Sequence, residues 1–376
     1  MHLKNAILES WMRRYYFEVD LDIGSSGVAN YSFRDLREML GVTLDDLDQI
    51  VFHDSETLGG GGLRRALAER YLDGDPSRVM VTHGSTEANF LIMNALLEPG
   101  DGIVVLDPFY QQLYGIAEAR GCVLHRWHLE YEAGFRPDFS ELEGLLHPGI
   151  RMVVVNFPHN PTGATLTPEE QRRLVDLCAG VNAYLVWDGA FTLLTYEEPP
   201  LPEPLLAYPR TLSMGTLSKA YGLPGLRVGW CLADAEVLER FVRWRDYSLL
   251  HLSPLVEQLA ARVIENDQLL VAPRLADARA NRALVDDWIA RHAGLAEWVR
   301  PRGGVSGFVK LLPVADSEPL CHRLARERRV LLVPGNSFDM PQFVRLGFGG
   351  PQDQLRAGLD ALAELLTEEA ARRDPR

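Results

Sequence analysis

The chain has 376 residues, 47% hydrophobic and 24% charged, with a formal net charge of −14. This is the composition of a globular protein with room for a large and a smaller domain, and the acidic balance argues against a nucleic-acid-binding face. No apolar run approaches the roughly 20 residues of a membrane span. The four cysteines form no CxxC pair, so a cytoplasmic protein with reduced thiols, no membrane contact and no metal knuckle is expected.

The opening MHLKNAILESWMRRYYFEVD carries early charges and reads as neither a signal peptide nor an anchor. Beyond it a pattern of short apolar strand, turn and helix repeats. RVMVT (78–82) is a strand and STEANFLIMNALL (85–97) a helix. GIVVLD (102–107) is a strand, followed by a helix over QQLYGIAEARG that ends at Gly121. CVLHRWHL and IRMVVVNF (150–157) are strands. Thr167, Pro168 and Glu170 form a capping box that starts the helix TPEEQRRLVDLCAG. AYLVWD (183–188), RTLSMG (210–215) and LRVGWCLA (226–233) complete the strands.

Unbroken apolar strands alternating with helices predict an α/β fold, with a mostly parallel sheet covered on both faces. GFVKLLPV (307–314) and FVRLGFG (343–349) predict a second, smaller sheet. The C-terminal helix presents Leu355, Leu359, Leu362 and Leu366 on one face. The expected division is a large domain over 46–274 and a small one built from 1–45 and 275–376.

In such sheets ligands bind beyond the carboxyl ends of the strands. Gly84, Ser85 and Thr86 open the first helix there, as a phosphate cradle or an ordinary cap. Tyr110 follows the second strand, placed to lie against an aromatic ligand or in the core. Two prolines flank Asn160 in PHNPTG and make a stiff turn. Asp188 directly follows five mostly apolar residues, and a buried carboxylate needs a partner such as a protonated pyridine nitrogen.

The next strand ends in GTLSKAYGLPGLR. Lysine is scarce in this chain, occurring only as Lys4, Lys219 and Lys310. Its amine can form an imine with a carbonyl, which arginine cannot. Thr216 and Ser218 flank Lys219, and Arg227, read as starting the next strand, is placed to clamp a phosphate. Together these features describe a site for pyridoxal 5′-phosphate.

The ordered motifs HNPTG, WDGAF and TLSKAYGLPGLRVGW resemble the class I/II aminotransferases, fold-type I pyridoxal phosphate enzymes, over nearly the whole chain. The resemblance implies that Lys219 is the cofactor-bound lysine and Asp188 the acid at the pyridine nitrogen. It implies Asn160 at the ring's phenolic oxygen and Tyr110 as the stacking aromatic. Gly84, Ser85, Thr86, Thr216, Ser218 and Arg227 would hold the phosphate, and Arg345 the substrate carboxylate. It also implies a homodimer with shared active sites. Two positions depart from the family pattern. Phe191 stands where a tyrosine is usual, and FHDSETLGGGGLRR lacks the tyrosine that reaches the partner's phosphate, leaving His53, Asp54 and Ser55.

The opening ILESWMRRYYFEVDLDIGSSGVANYSFRDLR more narrowly resembles the capreomycidine synthases, enzymes of this fold that cyclise β-hydroxylated arginine in antibiotic biosynthesis. That resemblance implies dehydration and ring closure without an amino-group acceptor. Ordinary transamination to a 2-oxo acid is the alternative. Ser25, Ser26 and Gly27 are then substrate contacts, with Asn160, or else a turn capping the next helix. The guanidinium would need a carboxylate, which the sequence does not identify. A regulator would need an added DNA-binding module, which the few dozen residues before the core do not resemble. His125 and His128 in HRWH lack a supporting acidic motif and read as ordinary strand residues, not metal ligands.

Overall fold

The computed structural model describes residues 2–373. Its centre is a seven-stranded sheet. From one edge the strands are Val79–Thr82, Gly229–Leu232, Thr211–Thr216, Tyr184–Asp188, Ile150–Asn156, Gly102–Asp107 and Val123–His128. Gly229–Leu232 runs antiparallel to both neighbours, and every other pairing is parallel. Val153, Val154 and Val155 are wholly buried, as a strand covered on both faces requires. Thr167 Oγ1 accepts from Glu170 N, and the Glu170 carboxylate accepts from Thr167 N, so the helix Pro168–Gly180 starts where the capping box predicts.

Two expected elements start three or more residues late. The helix after Asp107 begins only at Gly115, because Gln111–Leu113 forms a tighter turn and Tyr114 leaves helical backbone. The last strand of the large sheet begins at Gly229, not at 226. Pro224–Leu226 is a turn and Arg227 is left-handed, with φ 54°. Arg227 therefore precedes the strand, on a backbone region that few non-glycine residues adopt.

A second, antiparallel sheet carries the strands Val333–Pro334, Phe343–Gly347, Ser306–Leu311 and Ala296–Trp298 in that order. Near it, Leu21–Asp22 pairs in parallel with Val330–Leu331. The chain passes between the two sheets through the helix Asp267–Arg291, which accommodates Pro273 in its second turn. A boundary at 274 falls inside that helix. Leu355, Leu359, Leu362 and Leu366 of the helix Gln352–Arg373 are all buried. The four cysteines are free and buried. Among the described residues no helix is long and apolar enough to cross a membrane.

Candidate active site

The carboxyl ends of the parallel strands open into a cavity of about 550 Å³. Lys219, three residues past the strand Thr211–Thr216, projects its Nζ to donate to Ser26 Oγ at 3.2 Å. The Phe191 ring centre lies 5.8 Å from that nitrogen. Desolvation, with Arg345 close by, lowers the Lys219 ammonium pKa to about 8, so the amine can shed its proton near neutral pH.

Asp188 ends its strand with a buried carboxylate that accepts from Ala190 N at 3.1 Å. Burial raises its pKa to about 6, against the pull of that bond and of Lys219. No cation among the described residues lies within ion-pair distance of it. Asn156 holds the neighbouring geometry: its Nδ2 donates to Asp188 O at 2.9 Å, and its Oδ1 accepts from Asn160 N at 2.8 Å. Hydrogen bonds from His159 N to Ala164 O and from Gly163 N to His159 O close the turn that carries Asn160. Asn160 Oδ1 accepts from Arg345 Nη1 at 3.2 Å, and its Nδ2 has no acceptor among the described residues.

Arg345 lies in the strand Phe343–Gly347 and is 3% exposed. Its Nε and Nη2 donate to Gly24 O at 3.1 and 2.9 Å. Burial lowers its pKa to about 10, and no protein carboxylate pairs with it among the described residues. Gly347 lies two residues on, where a methyl group would overlap the Ser25 carbonyl. That close approach brings the 24–27 loop onto the strand.

Gly84, with φ 76°, caps the helix Ser85–Leu96, and a Cβ there would stand 2.7 Å from Arg227 Nη2. Arg227 Nη1 donates to Pro224 O at 3.1 Å and to Ser218 Oγ at 3.4 Å. The amides of Ser85 and Thr86 precede the first available intrahelical acceptors. A glycine, a helix N-terminus and a guanidinium thus meet at the edge of the cavity.

Several expected contacts change character. The Thr86 hydroxyl donates to Gln112 Oε1 at 3.2 Å and lines a neighbouring groove, so it is turned away from the cradle. Thr216 Oγ1 is engaged by Ser218 and Val228 O, so this residue supports Ser218 from behind the cavity. Ser25, Ser26 and Gly27 do line the cavity, and Ser32, not this turn, caps the next helix. Ser26 reaches Lys219. His53, Asp54 and Ser55 lie along a separate cavity of about 500 Å³, where Ser55 donates to Glu257. His128, on the edge strand, pairs with Glu141 of the helix Phe139–Leu145.

The sequence reading missed Asn156 and Glu9. Tyr110 donates its hydroxyl to Glu9 Oε1, and burial together with that carboxylate keeps the phenol protonated. Glu9, Met12 and Tyr16 recur at i, i+3 and i+7 along the helix Ile7–Tyr15 and its C-cap, and all three line the cavity. Leu8, Trp11 and Tyr15 form the buried stripe beside them. Two adjacent stripes of different polarity were the available signal.

These residues fit pyridoxal phosphate. The unpaired Asp188 carboxylate suits a protonated ring nitrogen, the Gly84–Arg227 cradle a phosphate, and Lys219 an aldehyde carbon. On this sheet, that fit defines a pyridoxal phosphate enzyme of fold type I.

Comparison with known proteins narrows the class. The chain belongs to the class I and II aminotransferase family, whose model, described as aminotransferase class I and II, matches residues 56–362. It is 46% identical over 366 residues to a capreomycidine synthase of Streptomyces vinaceus, covering 97% of this chain and 94% of that one. The crystal structure of a PLP-dependent cyclase, OrfR, superposes with a TM-score of 0.93 at 42% identity, covering 98% of both chains. A PLP-dependent aminotransferase from Streptococcus suis 89-1591 also superposes with a TM-score of 0.93, at 29% identity over 98% of this chain and 99% of that one. Pyridoxal phosphate is the cofactor.

Proposed function

We propose that this enzyme dehydrates and cyclises a β-hydroxylated L-arginine to a capreomycidine-type amino acid, as a carbon–oxygen lyase and cyclase. One observation carries the reading. Asp22 and the residues from Ser25 to Asn30, within the opening stretch that resembles the capreomycidine synthases, form the cavity wall that meets Lys219. The 46% identity to a capreomycidine synthase and the 42% identity to a cyclase support it.

When bound, pyridoxal phosphate supplies an electron sink for the pair left at the substrate Cα when its proton departs. Asp188 would hold the ring nitrogen's proton, Asn160 Nδ2 would donate to the ring oxygen, and Tyr110 would cover the ring face. Gly84, the amides of Ser85 and Thr86, Ser218 and Arg227 would hold the phosphate. Arg345 grips the substrate carboxylate and so turns the Cα–H toward Lys219. Lys219 Nζ takes that proton and later returns it. Ser26 Oγ accepts from the same amine and fixes its direction.

The net change is loss of one water. The β-hydroxyl departs with a proton, and a guanidine nitrogen forms the new bond to Cβ. No 2-oxo acid is consumed. The walls must hold the side chain folded, since the attack is intramolecular.

A homodimer is part of the proposal. The exposed side chains of Phe52, Tyr247 and Leu250 lie on two segments tied together by the Asp54–His251 pair. A second copy would cover them, and sedimentation at micromolar concentration tests this.

The reaction is tested by mass spectrometry of the cofactor-loaded protein with 3-hydroxyarginine, with and without a 2-oxo acid. A product one water lighter, formed without the oxo acid, supports dehydration, and NMR separates ring from open alkene. Turnover only with the oxo acid overturns the reading in favour of aminotransfer.

A further inference from the structure

We propose that Glu9, on the N-terminal helix, is the carboxylate that receives the substrate's guanidinium and selects for it. This rests on the guanidino-substrate reading above. Three carboxylates line the cavity: Glu9, Asp22 and Asp188. Asp188 stands at the end of its strand, where it would hold the proton of the ring nitrogen. Asp22 Oδ1 accepts from Gly24 N and Ser25 N, both at 2.9 Å. That oxygen serves the turn whose Gly24 carbonyl anchors Arg345, while Asp22 Oδ2 has no donor among the described residues, which makes Asp22→Asn the control below. Glu9 uses one oxygen for the Tyr110 hydroxyl, and its other oxygen has no donor among the described residues.

Glu9 is also well placed. Its charge acts on both Lys219 and Arg345, the two groups that would meet the substrate's amine-bearing carbon and carboxylate. Its helix is held from both sides of the cleft. Ile7 N donates to Gln111 Oε1 at 2.9 Å, and Trp11 Nε1 donates to Leu332 O at 3.0 Å. The Tyr110 bond leaves the free oxygen to receive a planar, multi-donor cation. An uncharged side chain would leave Glu9 facing no cation, which penalises the wrong amino acid.

The experiment is calorimetric titration of the cofactor-loaded protein with L-arginine and with L-citrulline, its neutral isostere, in the absence of any 2-oxo acid. The wild type should prefer arginine by about tenfold to a hundredfold. Glu9→Gln keeps an acceptor for Tyr110 and should erase that preference while citrulline affinity stays unchanged. If the wild type does not discriminate, the guanidino-substrate reading fails. If the wild type discriminates and Glu9→Gln still does, the Glu9 assignment alone fails. Equal loss of both ligands in Glu9→Gln, or loss of the preference in Asp22→Asn instead, also overturns it.

Discussion

Lys219 Nζ donates to Ser26 Oγ at 3.2 Å, across a sequence separation of 193 residues. The amine is therefore held by a hydroxyl from the N-terminal segment. Ser26→Ala should reduce turnover by about ten- to a hundredfold while leaving the visible absorbance of the lysine-bound cofactor in place. Unchanged turnover would remove Ser26 from the positioning of the lysine.

Lys219→Ala should abolish that visible band and all turnover. Lys219→Arg should do the same, since a guanidinium cannot form the imine. Persistence of the band in either variant would show that another residue carries the cofactor.

Gly84→Ala tests the cradle. The new methyl would press on Arg227 and strain a backbone at φ 76°. Cofactor affinity, measured by fluorescence titration, should fall about tenfold or more. Wild-type affinity would mean that the phosphate sits elsewhere.

Arg345→Gln should raise the KM for the amino-acid substrate by about a hundredfold with cofactor loading unchanged, because the lost contact is a charge-assisted pair with the substrate. A change in kcat alone would place the substrate carboxylate elsewhere.

Glu203 shares a narrow cavity with Trp187, Ser213 and Trp230. Its carboxylate accepts from the Ser213 hydroxyl and from Leu205 N, yet loss of water raises its pKa from 4.5 to about 7. The folded chain thus binds this proton more tightly than the unfolded chain. Its contribution to stability is fully present below pH 4.5 and is lost as pH rises to about 7, up to about 3 kcal/mol. Glu203→Gln should raise the melting temperature at pH 8 and leave it unchanged at pH 4. An equal effect at both values would sink the assignment.

The strands, the Thr167 capping box and the placement of Lys219, Asp188 and Asn160 around one cavity were legible because each depends on local sequence. Periodicity, a cap and strand-end position are visible within a dozen residues. The bond between Tyr110 and Glu9 was not, because it forms only when the first helix docks across the cleft. Nor were the inward turn of the Thr216 hydroxyl and the left-handed Arg227, since both follow from packing against neighbours. Phe191 was legible as a departure from the family pattern, and the structure puts its ring beside the lysine amine.

Arg345 and Gly24 are bonded across 321 residues of chain, as are Trp11 and Leu332. On the ribosome, at about 5–20 residues per second, the first segment waits roughly 15–60 seconds for these partners to be made. All seven strands of the large sheet, complete by Leu232, are synthesised before those two bonds can form. The order of synthesis thus separates in time the strands of the large sheet from the two bonds that tie the N-terminal segment to the C-terminal part of the chain.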